Sequence, residues 1–418
     1  MLSKDEAFRL TRFSFDDIAD SASAIRDEAS LHSITYSPKV FLPLTHLCQD
    51  NCSYCTFAKA PSAVDELYMT VEQIREVCAL GIQNQCSEAL FTLGEAPERR
   101  YEEAGIWLKQ NGYSTTTDYL ADMARIVITE FGMLPHVNPG AISDKEIRLL
   151  KEVSISQGMM LESIAGRLCE PGGPHFGSPD KTPARRLATL EAAGRAQVAF
   201  TTGLLVGIGD TRHERIEGLL ALRDLNYSYG HIQEVIIQNF IPKPATGMAN
   251  SSECDPEEHL WTIAAARLIF ENLTHIQAPP NLASSIEDLV RAGVDDFGGI
   301  SPVTIDFVNP EKPWPHLKEL SDTILQFGKK LKARAAIYPE YIAKPGFLAE
   351  HLRGFVDAVT DDKGYLKNDP LKSNENNNFV DLNEQKAIDL AEMERVESPA
   401  IKKKRIKRGS NLPLSKPR

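Results

Sequence analysis

The chain has 418 residues, 42% of them apolar, enough to fill one large domain of about 250 to 300 residues with extras. Its 58 acidic against 46 basic residues give a net charge of -12, which excludes a global basic field for nucleic acid and leaves a small-molecule substrate as the default. No apolar run approaches the roughly 20 residues of a membrane span, and sparse cysteines behind no signal peptide fit a reducing, cytoplasmic setting.

Residues 1–37 carry Phe8, Phe13, Phe15, Ile18 and Ile25 and predict a helical extension that caps the main domain. From residue 38, short apolar runs alternate with longer amphipathic stretches. Runs 40–44, 89–93, 159–161, 198–206 and 235–237 read as strands apolar on both faces, as a parallel sheet requires. Stretches 70–80, 117–131, 143–153, 182–194, 211–225 and 256–271 read as helices, several opened by a capping Thr, Ser or Asp. Repeated strand and helix units predict an α/β fold, a partial or complete (β/α) barrel over 38–345, with a strand count that periodicity leaves open. After about residue 357 the composition turns to Asn, Asp, Glu, Lys and Ser, which predicts a disordered tail to residue 418. The basic run 402–408 within it has a solvated tail as its plain meaning and an anionic partner as the alternative.

Cys48, Cys52 and Cys55 follow the first predicted strand at spacing Cys-x3-Cys-x2-Cys. Thiolates are the soft ligands of iron-sulfur clusters, and a four-iron cube held by three of them keeps one iron open to a small chelating molecule. A zinc site needs a fourth Cys or His; His46 is the nearest, and its adjacency strains a tetrahedron. Cys78, Cys86, Cys169 and Cys254 stand alone and read as small buried hydrophobes, so one cluster is expected.

With the aromatic Tyr54 before its last cysteine, this triplet resembles the signature of radical S-adenosylmethionine enzymes. That resemblance implies a [4Fe-4S] cluster whose open iron is chelated by S-adenosylmethionine, and an adenosyl radical that takes a hydrogen atom from substrate. Gly94-Glu95 at the end of the second strand resembles the family's Gly-Gly-Glu segment, which binds the methionyl ammonium; Leu93 stands in the first Gly position, so the match is partial. Glu162 sits where the family places a residue on the ribose hydroxyls, with a structural salt bridge as the alternative. Residues 201–211 are Gly-rich without a Gly-Lys-Ser/Thr ending, so no phosphate loop is expected. Gly207 and Ile208 there are similar to the family's adenine-contacting strand. Arg185 and Arg186 are candidates for the methionyl carboxylate, but as neighbours at a helix start they cannot both face inward.

Longer stretches narrow the resemblance. They are Cys55-Thr56-Phe57, the 89–98 run, Pro135 to Gly140, Gly230 to Phe240, Gly298 to Thr304, Val308-Asn309-Pro310-Glu311 and Pro313-Trp314-Pro315. Together they look like the ring-closing 7,8-didemethyl-8-hydroxy-5-deazariboflavin (FO) synthase family over residues 38–345. The implied activity is a lyase-type ring closure of 5-amino-5-(4-hydroxybenzyl)-6-(D-ribitylimino)-5,6-dihydrouracil with loss of ammonia. The implied functional partner is the 5-amino-6-(D-ribitylamino)uracil-L-tyrosine 4-hydroxyphenyl transferase subunit. Candidate substrate contacts are His136, Asn138, His231, Gln238, Asn239, Ser301 and Thr304, with structural hydrogen bonding the alternative for each. Other functions kept open are the tyrosine-adding sister, another radical enzyme such as an aminofutalosine-related cyclase, and an iron-sulfur electron carrier.

Overall fold

The computed structural model describes residues 1–30 and 32–373. Its parallel strands are β1 (Ser33–Thr45), β2 (Glu88–Leu93), β3 (Leu134–Asn138), β4 (Ser156–Gly158), β5 (Phe200–Val206), β6 (Ile232–Asn239), β7 (His275–Gln277) and β8 (Asp296–Ile300). Each pairs with the next, and β1 pairs with both β2 and β8, so the barrel is complete. A further strand, β9 (Lys330–Ala333), pairs with the first part of β1, Ser33 opposite Lys330. Parallel strands require crossovers, and the amphipathic helices supply them. Thr70, Thr115, Ser143 and Thr211 each form a capping box that starts its helix at the expected place.

The apolar runs mark β1, β2, β5 and β6 correctly, but the expected strand at 159–161 lies just past the observed β4. Residues 159–161 follow it at the barrel mouth, with Met159 and Leu161 buried, whereas β4 itself is Ser-Gln-Gly.

The amino-terminal extension forms helices Lys4–Arg9 and Phe15–Ser30. Ala7, Phe15 and Ile18 are buried, whereas Phe13 is exposed. The longer helix packs alongside helices Pro256–Phe270 and Ile286–Arg291 in the outer layer, and Arg26 reaches the Val290 carbonyl.

At the other end, the expected tail begins too early. Helix Arg353–Val359 continues past 357, and bridges join Thr360 to Leu366 and Arg334 to Tyr365. Apolar anchors are few there but well used. Val356 and Leu366 are buried, Lys332 Nζ lies 3.1 Å from the Tyr365 ring centre, and Tyr36 donates to Asp369 at 3.1 Å. Ending the chain at Asp357 is therefore expected to lower the melting temperature, because burial of one leucine alone contributes about 1.5–3 kcal/mol. Calorimetry on the truncated protein checks this, and an unchanged transition would assign these contacts no weight. The tail from 374, with the basic run 402–408, lies outside the described residues.

His275 opens β7 between two carboxylates, with Nδ1 2.9 Å from Asp295 and Nε2 2.9 Å from Glu340, and stacks on Tyr338. Burial alone would lower its pKa, but Asp295 and Glu340 outweigh it and raise the group to about 10. A raised folded-state pKa contributes stability in full below the ordinary 6.5 and loses it as pH climbs from there toward 10. Urea midpoints of the wild type are expected to fall over that window, and those of His275→Asn to lose that component of the fall.

Candidate active site

The cysteine loop leaves β1 at the carboxyl end of the barrel, the face where such folds build their sites. Its base is closed by Thr45, whose hydroxyl donates to the Leu67 carbonyl at 2.6 Å, and by His46, whose Nδ1 lies 2.9 Å from the Phe57 carbonyl. His46 thus serves the loop as a brace. The loop's outer wall is residues 174–180. Ser53 N–H donates to the Pro174 carbonyl at 2.8 Å and Asn51 N–H to Ser178 Oγ at 2.9 Å. The Arg100 guanidinium also reaches the carbonyls of Cys48, Gln49 and Asp50 at 3.2–3.5 Å.

Cys48, Cys52 and Cys55 are free thiols. Glu95 N–H donates to Cys48 Sγ at 3.2 Å, and Ser178 Oγ lies 3.6 Å from Cys52 Sγ. Burial, with Glu95 beside it, pushes Cys48 up to about 12, and burial pushes Cys52 up to about 11, so a metal must displace their protons. Among the described residues no three His, Cys, Asp or Glu side chains gather tightly enough for a single ion. A four-iron cube places different demands, because each thiolate takes its own iron. Three soft donors on one braced loop, two of them already meeting N–H or O–H groups, fit that cluster.

Gly94 explains how the second strand approaches this loop. A Cβ there would sit 1.9 Å from the Leu47 carbonyl oxygen and 2.8 Å from Cys48 Cβ. Gly94→Ala must therefore push the loop away, and the expected result is lower iron per chain at unchanged secondary structure. Full iron loading in that variant would count against the close approach.

Beneath the loop lies a buried patch of alternating charge. Glu95 Oε2 accepts from Ala141 N–H at 3.1 Å and its Oε1 meets Arg186. Glu162, at the left-handed φ of 65°, meets Lys181 Nζ at 2.7 Å. Burial pushes the Glu162 carboxyl up, but Lys181 and Arg186 outweigh it and hold it below the ordinary range. Of the two neighbouring arginines, Arg186 turns inward and is 2% exposed, whereas Arg185 pairs with Asp180 at 3.3 Å and donates to the Ala141 carbonyl at 3.0 Å. Tyr54 OH lies 3.0 Å from His175 Nε2. Gly207 and Ile208 donate their N–H groups to Asp210, at 2.8 and 3.0 Å, so that turn is held by its own carboxylate.

A cavity of about 330 Å³ runs from Tyr54, Cys55 and Glu162 into the barrel. His136, Asn138, Gln238 and Asn239 line it as expected. His136 bridges Ser156 at 2.7 Å and Asn138 at 3.0 Å, and burial lowers it to about 4, leaving it neutral. Ser301 and Thr304 lie beside the cavity without lining it. Thr304 instead accepts from Phe41 N–H at 3.0 Å and, through its carbonyl, from Trp314 Nε1 at 3.0 Å. These bonds set the stacked Phe41 and Trp314 rings, 5.4 Å apart, as an aromatic wall. His231 is elsewhere: it precedes β6, at the opposite end of the barrel, fully buried near Phe200 and Tyr229. Sequence pattern shows a polar residue at a strand end without showing which end.

Sequence reasoning missed the cavity floor. Lys39 and Glu88 pair at 2.7 Å, and Arg334 binds both Asp296 and Glu234, each at 2.9 Å through Nη2. The available signal was a charge interrupting an apolar strand.

Residues 42–221 match the radical SAM superfamily. The fold agrees: the [FeFe]-hydrogenase maturase HydG of Carboxydothermus hydrogenoformans superposes with TM-score 0.64 at 19% identity, covering 80% of this chain and 77% of that one. Methylornithine synthase PylB superposes with TM-score 0.62 at 16% identity, covering 79% and 94%. The chain is thus a radical SAM enzyme, a class that uses a [4Fe-4S] cluster and S-adenosylmethionine. The 7,8-didemethyl-8-hydroxy-5-deazariboflavin synthase of Methanopyrus kandleri is 44% identical over 335 residues, 80% of this chain and 100% of that one. FO synthases of Streptomyces avermitilis and Mycobacterium tuberculosis are 46% and 45% identical, over 82% and 86% of this chain. This chain belongs to the deazariboflavin synthase family. It spans 42% and 44% of those two longer FO synthases.

Proposed function

We propose that the chain closes the deazaflavin ring, converting 5-amino-5-(4-hydroxybenzyl)-6-(D-ribitylimino)-5,6-dihydrouracil to 7,8-didemethyl-8-hydroxy-5-deazariboflavin with loss of ammonia. The observation that supports this best is the two-sided cavity. Phe41 and Trp314 offer a flat aromatic wall for a phenol ring, while Lys39, Glu88, Glu234 and Arg334 offer a charged floor for a polyhydroxylated, ureide-bearing partner. Its volume lies within the range of about 300–1,000 Å³ usual for such ligands.

Bound at the open end, a [4Fe-4S] cluster and S-adenosylmethionine supply hydrogen-atom abstraction and take up the two electrons released on aromatisation. Cys48, Cys52 and Cys55 would hold the cluster, with Tyr54 beside it. Gly94, Glu95 and Glu162 would hold the methionyl and ribose parts, and Gly207 and Ile208 the adenine. For the methionyl carboxylate the half-buried Arg185, already paired with Asp180, is the weaker candidate and the inward Arg186 the stronger. The barrel's own task is positioning: it holds phenol and uracil parts together and keeps water and stray hydrogen donors out.

Anaerobic assay with dithionite, S-adenosylmethionine and the hydroxybenzyl substrate tests the proposal. The expected products are fluorescent deazaflavin, ammonia, methionine and 5'-deoxyadenosine in equal amounts. An electron carrier would yield no 5'-deoxyadenosine. Consumption of tyrosine plus 5-amino-6-ribitylaminouracil by this chain alone would favour the tyrosine-adding function; the mixture is expected to remain unchanged until that partner enzyme is added. The unmatched part of the longer FO synthases would supply the partner step.

A further inference from the structure

Barrel interiors of this class are usually filled by layers of branched apolar side chains. Here two glycines of β8 lie under polar side chains. A Cβ on Gly298 would come within 2.3 Å of Gln277 Nε2, and one on Gly299 within 2.1 Å of Lys39 Cε. Gly298 has a left-handed φ of 68°, which any other residue adopts with strain. The gap above Gly298 is occupied by the Gln277 amide.

Among the described residues, two side chains that line this cavity carry buried carboxamide oxygens without a hydrogen-bond partner. Gln277, at the end of β7, is 4% exposed and its Oε1 accepts no hydrogen bond. Asn239, at the end of the adjacent β6, is 8% exposed; its Nδ2 donates to the Leu282 carbonyl at 3.1 Å, but its Oδ1 is unmatched. Both line the cavity. A buried acceptor left unmatched is costly, so two carried by neighbouring strands that line one chamber point to a ligand that brings donors.

Resting on the ring-closing function proposed above, we infer that Gln277 and Asn239 read the uracil half of the substrate. The Gln277 amide is the complement of the pyrimidinedione imide: its oxygen accepts the ring N3–H while its NH2 faces a flanking carbonyl. Asn239 Oδ1 takes a second donor, an exocyclic N–H or a ribityl hydroxyl. This assignment leaves the Phe41 and Trp314 wall to the phenol and fixes which way round the substrate enters. Gln277 is thus a specificity residue.

Steady-state kinetics with the parent substrate and its N3-methyl analogue test this, on wild type, Gln277→Met and Asn239→Ala. Wild type is expected to discriminate against the analogue by at least about tenfold in kcat/KM, since a site built to accept a hydrogen bond rejects a ligand lacking it. In Gln277→Met the parent KM should rise about tenfold at unchanged iron content, and the discrimination should collapse. Asn239→Ala should raise KM while keeping the N3-methyl discrimination, a split that general loosening of the barrel would not produce. Turnover of the parent by wild type with less than about threefold discrimination overturns the inference alone, as does an unchanged KM in Gln277→Met. No turnover by fully loaded wild type overturns the ring-closing function and this inference with it.

Discussion

Cys52→Ala protein, reconstituted anaerobically, is expected to lack the brown chromophore and to form no 5'-deoxyadenosine. Three thiolates are the whole protein ligand set inferred for the cluster, and two thiolates leave a cube with half its corners unheld. Cys48→Ala and Cys55→Ala should do the same, whereas Cys169→Ala, whose Sγ meets the Lys181 carbonyl at 3.7 Å, should load normally. Iron and sulfide analysis with chromatography of the nucleoside measures all four. Full iron content in Cys52→Ala would remove the basis for the cluster assignment.

Arg334→Ala is expected to be the most destabilising single change in the floor of the cavity. The guanidinium is 3% exposed, donates to Asp296 through Nε at 2.6 Å and Nη2 at 2.9 Å, and meets Glu234 at 2.9 Å. Its removal leaves two buried carboxylates without their cation, a loss of about 3–5 kcal/mol by comparison with other broken buried pairs. Burial already raises the Glu234 carboxyl, so the variant should gain stability on acidification as that group takes up a proton. Adding Glu234→Gln and Asp296→Asn should recover part of the deficit. Urea titration measures the series; an Arg334→Ala midpoint within error of wild type would show the trio to be solvated in solution.

How far the sequence carried depends on which way each residue points. β1, β2, β5 and β6 contain apolar runs and were legible. β4 is Ser-Gln-Gly, β7 is His-Ile-Gln and β8 is Asp-Phe-Gly-Gly-Ile; each contributes polar or glycine residues to the interior, which hides the strand signal. The cysteine loop was legible because its three thiols lie within eight residues of one another. The floor was not: Lys39 meets Glu88 across 49 positions and Arg334 meets Glu234 across 100, and no local pattern reports such pairings. Ser301 and Thr304 were located in the right region but lie beside the cavity: Thr304 bonds Phe41 and Trp314, and Ser301 bonds Thr304. The tail boundary failed because a handful of anchors, Leu366 and Asp369 among them, order a segment whose average composition argues against order.

The first barrel strand has three neighbours, and two of them are made last. Thr35 to Pro38 meet β8, whose first residue is Asp296, and Ser33 to Tyr36 meet β9, which ends at Ala333. During synthesis from the amino end, β1 can take β2 as soon as residues 88–93 emerge, but its other edge stays open for some two hundred residues more. Closure of so non-local a ring is slow. The cysteine loop and its braces at Arg100 and residues 174–180 all precede that event, so every part of the loop's wall is made before the barrel can close.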